Sequence, residues 1–455
     1  MTPSPHRMPG ALFDAVAAGG GGAEALRFLA RAEHGRRLAG AYAVTTAARE
    51  AGGPVAEEAA RAWELFAAAT RADPGATAAV LTHPAAGPAL FGLLTRLTRR
   101  QERARPSLRV PMGRYTALAA AATVRAGLAA RVEWPVEGAW VALPSLGRAH
   151  FPAARSGGRA VACVDTAGRA LLSLTGRSPG DPPVPVPASP YRSAGRWHGA
   201  YPLETLAPDT PLLLDILDQP GFPNAVHRPD GLDADELRRW VTAAREACAL
   251  LRADHPELYE ELAAGPRQLV PLTAPGQGTV SGSSAETFGC VAMSRPTTAT
   301  GFAVTMTHEM QHNKFAALLH LFDLLEPGPE GFYAPWRPDP RPLLGLFHGA
   351  YAHLGVARFW ARQGESEPDP GLRAEAQVQF ARWRLAAREA TLVTLGSGRL
   401  TPLGRRFADR MLDTLDGLCR LPVPAAARRR AEATARAHRA AWRERNGNPR
   451  RTLSA

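Results

Sequence analysis

The chain has 455 residues, a formal net charge of +12, 45% hydrophobic residues and 21% charged residues, which is ordinary for a soluble globular protein of two or three domains. Its single lysine, Lys314, and the spread of arginine over every segment indicate a GC-rich bacterial coding sequence. A nucleic-acid-binding face would concentrate basic residues and place aromatic side chains among them, so we expect no nucleic-acid partner.

The sequence carries no targeting or membrane signal. It has no run of 18 apolar residues, so we expect no transmembrane helix and no membrane partner. Residues 1–10 lack the basic head and apolar region of a secretory signal. The cysteines are far apart and form no CxxC pair, which favours reduced thiols in a cytoplasmic protein; they are Cys163, Cys248, Cys290 and Cys419.

Residues 1–128 are rich in alanine, leucine and arginine and have few β-branched residues. Their apolar residues recur at helical spacing, and breaks such as the glycine run 19–22 separate one helical stretch from the next. We expect five or six helices that pack as a helical N-terminal domain.

The pattern changes in residues 129–190. Short apolar runs separated by glycines predict a small antiparallel β region, which ends in a proline-rich surface connector over Ser178–Pro190. Residues 191–455 are predicted to form a mostly helical metal-binding domain, in which 191–232 is largely irregular. The predicted fold class is therefore α+β, mainly α with a small antiparallel β region.

The most informative stretch is an HExxH motif formed by His308, Glu309 and His312. Two histidines four residues apart differ by about 40° around a helix axis, so both lie on one face and can bind one metal ion. Glu309 is rotated by about 100°, from where it can reach a metal-bound water or brace the site. The helix is predicted over Thr300–Leu325, and its broad apolar coverage indicates that it is largely buried.

A metal site with two histidines needs at least one more protein ligand. The metzincin pattern is missing, because Phe315 stands where its glycine should be and Leu318 where its third histidine should be. No glutamate is well placed for a thermolysin-like site on the helix that follows. The next strong helical pattern, Leu343–Arg362, instead offers His348 and His353.

His348 and His353 are about 140° apart around that helix, so we do not expect both to point into one compact site. Ala352 and Gly355 share the face of His348 and permit close approach of a second helix, which favours His348 as the third ligand. His353 stays open as the alternative. The metal site is therefore predicted to lie between two buried helices.

A loop rich in proline and aromatic residues, 331–342, joins the two predicted helices and should be stiff. It would hold Arg337 and Arg341 near the mouth of the site, where a guanidinium suits a carboxylate of a substrate or cosubstrate. Either arginine can alternatively pair with Asp339. Upstream of the motif, Ser283 and its small neighbours either donate hydrogen bonds to a carboxylate ligand or form a hairpin turn.

These residues resemble the actinobacterial HExxH-motif peptide-modification proteins, a family associated with α-ketoglutarate-dependent β-hydroxylation of peptide side chains. The resemblance extends from about 265 to 362 and is carried by Ser281-Gly282-Ser283-Ser284, Phe288-Gly289, Ser294-Arg295-Pro296, the HExxH motif, Tyr333-Ala334-Pro335-Trp336-Arg337, Leu346-Phe347-His348-Gly349-Ala350-Tyr351 and Gly355-Val356-Ala357-Arg358.

The resemblance implies an oxygen-dependent hydroxylase that acts on a ribosomally synthesised precursor peptide. It implies Fe(II) held by His308, His312 and His348, and α-ketoglutarate whose far carboxylate meets Arg341 or Arg337. Molecular oxygen would be the second cosubstrate, and Glu309 would support the ligands or position the substrate. The motif alone leaves a different function open, a Zn(II) metallopeptidase in which Glu309 is the general base on a zinc-bound water.

Overall fold

A computed structural model describes residues 7–99, 107–152, 158–175, 181–215, 232–274, 279–328 and 331–447. The structure is 59% helical with small sheets, which confirms the predicted mainly α class with added β structure. Its contacts define two units. One comprises Met1–Leu29, Val241–Pro266 and Pro296–Ala455, and the other comprises Ala30–Trp240 and Arg267–Arg295. The predicted domain boundaries at residues 128 and 190 stay a prediction.

Six helices occupy the described part of the N-terminal region, as predicted: α1 (Gly10–Ala17), α2 (Gly22–Ala51), α3 (Gly53–Ala72), α4 (Pro74–Thr82), α5 (Ala86–Thr98) and α6 (Arg109–Arg125). The break between α1 and α2 lies at the glycine run, because Gly19, Gly21 and Gly22 have φ values of 82°, 97° and 57°, which side-chain-bearing residues rarely adopt. Among the described residues, no single helix is long and apolar enough to cross a membrane. Only α4 and α5 taken together reach the required length and apolar composition, and they are bent by 75° with respect to each other.

The next nine elements are strands: β1 (Ala130–Pro135), β2 (Trp140–Leu143), β3 (Gly147–His150), β4 (Arg159–Val164), β5 (Ala170–Thr175), β6 (Val184–Val186), β7 (Trp197–His198), β8 (Tyr201–Ala207) and β9 (Thr210–Leu214). Two antiparallel sheets confirm the predicted β region, one in the order β1-β4-β5-β6 and one in the order β2-β3-β7. The predicted connector is wrong at β6, because Val184 is buried and pairs with Leu172.

A third sheet has the order β11-β12-β10-β9-β8, with β10 (Gln268–Pro271), β11 (Ser281–Gly282) and β12 (Cys290–Met293). It is mixed, since β10 is parallel to both β9 and β12. The prediction that 191–232 is mostly irregular is therefore wrong for β7, β8 and β9. A proline in each of β8 and β9 interrupts the residue pattern by which a strand is recognised in a sequence. Leu212 and Leu214 of β9 are nevertheless buried, as alternate residues of a strand with one buried face are expected to be.

The remaining helices are α7 (Ala234–Asp254), α8 (Pro256–Ala264), α9 (Ala299–Leu319), α10 (Leu343–Ser366), α11 (Pro370–Leu395), α12 (Pro402–Arg420) and α13 (Ala425–Asn446). The HExxH motif lies on α9, which is largely buried as predicted. Its N-terminus is capped by Thr298, whose side chain accepts a hydrogen bond from the backbone N–H of Gly301. The helix ends at Leu319, well before the predicted Leu325.

An aromatic core holds α9 and α10 together. The ring of Phe407, from α12, lies 5.5 Å from Phe315 of α9 and 5.8 Å and 5.3 Å from Phe347 and Tyr351 of α10. Phe13 of α1 contacts the same ring at 5.7 Å. Three of these four contacts are edge-to-face, an arrangement that stabilises beyond the area it buries, so the aromatic core helps to hold the two helices that carry the histidines.

Candidate functional site

Four histidines cluster between α9 and α10. The Nε2 atoms of His308 and His312 are 3.0 Å apart, as expected for an i, i+4 pair on one helix face. The ring of His348 lies 4.4 Å from that of His312, and the ring of His353 lies 5.0 Å from that of His308. Both histidines of α10 thus join the cluster, because each flanks a different motif histidine. The prediction that they would not share one compact site is therefore wrong.

The separation of the motif nitrogens suits a shared cation. Two nitrogens bound at about 90° to a metal with bonds of roughly 2.1 Å lie about 3.0 Å apart, whereas a tetrahedral angle would place them about 3.4 Å apart. Across the described residues, however, no three His, Cys, Asp or Glu side chains are grouped so that they could hold a metal ion as they stand. The separation of the motif nitrogens alone would allow a shared cation, and the metal site with a third ligand stays a prediction.

Each candidate for a third nitrogen, His348 and His353, makes one hydrogen bond to a backbone carbonyl. The Nε2 of His348 lies 3.2 Å from the backbone oxygen of His312, so this nitrogen carries a proton and donates it. The Nδ1 of His353 lies 2.8 Å from the backbone oxygen of Gly349, so here Nδ1 carries the proton and a neutral ring keeps its lone pair on Nε2. Both rings thus have the carbonyl partner that usually orients a metal-bound histidine. They differ in the nitrogen left for a metal, Nε2 in His353 and Nδ1 in His348, so both candidates stay open.

All four imidazoles are held neutral. Burial lowers the pKa of His308 to about 4, and it lowers the pKa of His348 to about 4 against the opposing effect of its hydrogen bond to His312. Burial, followed by the neighbouring histidines, holds the pKa of His312 and of His353 well below 6.5. Neutral imidazole is the form that binds a metal, so these pKa values leave all four rings in that form at neutral pH.

Aromatic rings enclose the cluster. Trp336, from the proline-rich loop, stacks on His353 with ring centroids 4.3 Å apart, and Trp383 of α11 lies 4.5 Å away. Phe315 stacks on His348 at 5.0 Å. Gly349 makes room for Trp336, because a Cβ at this position would lie 2.5 Å from its ring. Trp336 of the loop therefore forms one wall of the cluster, a contact that the sequence analysis did not predict.

Glu309 is buried beside the pair, with only 2% of its surface exposed, and the side chain of Asn313 donates to its backbone oxygen at 3.0 Å. A carboxylate so enclosed by protein suits a bracing or positioning role better than activation of a bulk water.

The two predicted cosubstrate arginines lie on the loop and share one partner. The Nε of Arg337 is 3.0 Å from Asp339, and Nη1 of Arg341 is 3.4 Å from the other carboxylate oxygen. Both guanidinium groups stay at least one third exposed and retain further donors. Asp339 thus holds the pair together without exhausting its capacity for a second carboxylate.

Ser283 lies in the other unit, directly after β11, where the chain turns back towards the antiparallel β12. Its neighbour Ser284 accepts a hydrogen bond from the backbone N–H of Thr287 at 3.0 Å. These contacts agree with the interpretation that Ser283 belongs to a hairpin turn. That Ser283 donates to a bound carboxylate stays a prediction.

No protein-family model matches the chain, and a comparison with curated proteins finds no similar sequence. The resemblance to the peptide-modification proteins therefore stays a prediction. Further parts of the site that the sequence did not predict are Trp383, which reaches the cluster from a helix without any motif, and the hydrogen bond that fixes His353.

Proposed function

We propose that the chain is an Fe(II)- and α-ketoglutarate-dependent hydroxylase that acts on a side chain of a ribosomally synthesised precursor peptide. The observation that carries the proposal is the cluster of four neutral imidazoles, of which His353 is buried and the other three are half-buried, with the Nε2 atoms of His308 and His312 3.0 Å apart. The peptide substrate and the β position of hydroxylation rest on the family resemblance alone.

The donor chemistry allows iron. Imidazole nitrogens suit iron, zinc, copper and nickel, so the donor set is compatible with iron, and the choice of iron among these metals rests on the family resemblance. His308 and His312 would bind through Nε2. A third nitrogen would come from His353 through Nε2 or from His348, the ligand that the resemblance implies, through Nδ1.

When bound, iron(II) together with α-ketoglutarate and molecular oxygen supplies the oxidation that converts one C–H bond of the peptide into C–OH, with succinate and carbon dioxide as co-products. The protein's own residues orient the ligands and the cosubstrate and exclude water from the site. Trp336 and Trp383 fix the His353 ring and keep water from it. Arg337 and Arg341 would receive the far carboxylate of the cosubstrate, and Glu309 would brace the motif helix.

The test uses the purified protein with iron(II), ascorbate, α-ketoglutarate, oxygen and a candidate precursor peptide. We expect a peptide mass gain of one oxygen with an equal amount of succinate, and no product from the double variant His308→Ala/His312→Ala. Peptide cleavage that needs zinc but not α-ketoglutarate would instead identify the metallopeptidase alternative and refute the proposal.

A further inference from the structure

A cavity of about 220 Å³ lies between α11, α13 and the proline-rich loop, all of which belong to one unit. Tyr333 and Pro335 of the loop border it, close to the Trp336 that stacks on His353. Among the described residues, its lining includes none of the four histidines of the cluster. Pockets for drug-sized ligands measure about 300–1,000 Å³, so this cavity suits a smaller ligand or a single side chain.

Arg382 of α11 brings an unpaired cation to this cavity. Its guanidinium carbon lies 4.2 Å from the centre of the Trp383 ring, which packs on His353 at 4.5 Å. Across the residues that the structure describes, no carboxylate pairs with its side chain. The side chain is half-buried, and a guanidinium stacked on a ring keeps the N–H donors at its edge available for an anion.

The pKa values of the lining residues show where this charge acts. Burial lowers the pKa of Arg382, and the phenol of Tyr333 opposes that effect. Burial, followed by Arg382 and Arg439, lowers the pKa of His438, so this histidine is neutral at pH 7. Because the charge of Arg382 reaches two side chains that line the cavity, an anion bound there would offset the cost of burying it.

The other charges of the lining already have partners. Arg439 forms an ion pair with Glu389, and Arg436 lies 3.9 Å from Glu432 on its own helix. With three arginines and two glutamates, the described lining has one positive charge in excess, which is that of Arg382. One negative charge would balance it, whereas a dianion would leave an excess of negative charge beside the two glutamates.

The rest of the described lining is mostly apolar and is contributed by the loop, α11 and α13; these residues are Pro335, Ala381, Leu385, Ala386, Ala431 and Ala435. Leu385 is 45% exposed, so the apolar surface continues to the solvent. A ligand that is polar throughout would lose hydration against these side chains without gaining contacts. The lining therefore suits an anion that carries methylene groups.

We propose that this cavity binds a single carboxylate on a short apolar stem, with Arg382 as its cationic partner. The side chain of a glutamate in a peptide and a small free acid such as butyrate share this chemistry. If the chain is the peptide hydroxylase proposed above, the glutamate side chain would belong to its substrate, and only this last step rests on that function.

Binding is measured by calorimetry on the metal-free full-length protein, with butyrate and with N-acetyl-L-glutamic acid amide, in which the backbone carries no charge. N-acetyl-L-glutamine amide has the same stem without the charge, and sulfate is a dianion without a stem. We expect at least one of the two carboxylates to bind with a Kd of millimolar or lower. The glutamine compound and sulfate should bind about tenfold more weakly or worse. Binding of the capped glutamate would show that a peptide side chain fits, and binding of butyrate alone would identify a free acid as the ligand.

Two variants test the charge and the space separately. Arg382→Gln removes the cation, and Ala435→Phe fills the cavity from an exposed position of α13 without changing any charge. Each should weaken binding about tenfold or more. Arg429→Gln and Ala433→Phe are the matched controls, because both positions are exposed on α13 and lie outside the described lining, and both should bind as the wild type does.

Thermal unfolding of each variant separates lost binding from lost structure. The proposal is overturned if neither carboxylate binds, if sulfate or the glutamine compound binds as tightly as the better carboxylate, or if either folded cavity variant retains full affinity. The assay contains neither iron nor α-ketoglutarate, so its outcome and that of the hydroxylation test are independent.

Discussion

Lys314, the only lysine of the protein, donates from Nζ to both carboxylate oxygens of Glu261, at 3.2 Å and 3.0 Å. Both side chains are buried, and Nζ also donates to the backbone oxygen of Gly20 at 3.0 Å. Glu261 in turn accepts from the backbone N–H of Gly22 at 3.0 Å. The motif helix α9 is thereby attached to α8 and to the glycine turn, two residues after His312.

Lys314→Met removes one partner of this buried pair and leaves the charge of Glu261 uncompensated. We expect the free energy of unfolding to fall by about 3–5 kcal/mol, measured by denaturant titration. The double variant Lys314→Met/Glu261→Gln should recover part of that loss, because no buried charge remains. Equal stability of the single variant and the wild type would show that the pair does not hold α9.

The third metal ligand can be assigned by comparing His348→Ala with His353→Ala. We expect His353→Ala to weaken iron(II) binding at least tenfold and more than His348→Ala does. In His353 the Nδ1 proton is donated to a carbonyl and Nε2 keeps its lone pair, whereas in His348 it is Nε2 that carries the proton and donates it. Anaerobic iron(II) titration measures this, with circular dichroism to confirm folding. A larger loss in His348→Ala would restore the ligand set implied by the resemblance.

Gly349→Ala tests whether the loop wall orients His353. The added methyl group would occupy the space of the Trp336 ring, so the stacking of Trp336 on His353 must change. We expect tryptophan fluorescence to shift and iron(II) affinity to fall about 10-fold or more. Gly364→Ala on the same helix is the matched control, since its nearest neighbour would be 3.4 Å away and alanine favours a helix. Identical affinities in both variants would contradict the proposed role of the wall.

The periodicity of the sequence was enough to predict that His308 and His312 share one face, because four residues are nearly one helical turn. It was not enough to predict the residue at which α9 ends. Apolar residues continue the helical pattern to Leu325. In the structure, however, Leu325 forms a β-bridge with Leu400, and the backbone N–H of Glu326 donates to the backbone oxygen of Arg399. The backbone is extended here because it pairs with a segment far away in the sequence. The third sheet was hidden for a similar reason, because the parallel pairing of β10 with β9 joins segments far apart in sequence.

Asp339→Asn tests the two loop arginines. Asparagine no longer neutralises Arg337 and Arg341, so both would offer more charge to the far carboxylate of α-ketoglutarate. We expect the KM for α-ketoglutarate to fall about two- to fivefold, and Arg341→Gln to raise it about tenfold, with succinate release as the measurement. If Arg337→Gln and Arg341→Gln both leave the KM unchanged, these arginines do not bind the cosubstrate.

Acid should unfold the metal-free protein through its histidines. The unfolded state protonates histidine near pH 6.5, whereas burial lowers the pKa of His308 and of His348 to about 4 in the folded state. The unfolded state therefore binds more protons between these values, so stability is complete above pH 6.5 and falls as the pH is lowered towards 4. For His308 alone the loss amounts to about 3 kcal/mol.

Denaturant titrations in EDTA at pH 7.5, 6, 5 and 4 measure this loss of stability. The variant His308→Gln/His348→Gln should show a shallower decline, and His320→Gln, outside the cluster, should follow the wild type. An undiminished decline in the double variant would mean that other groups cause the acid sensitivity.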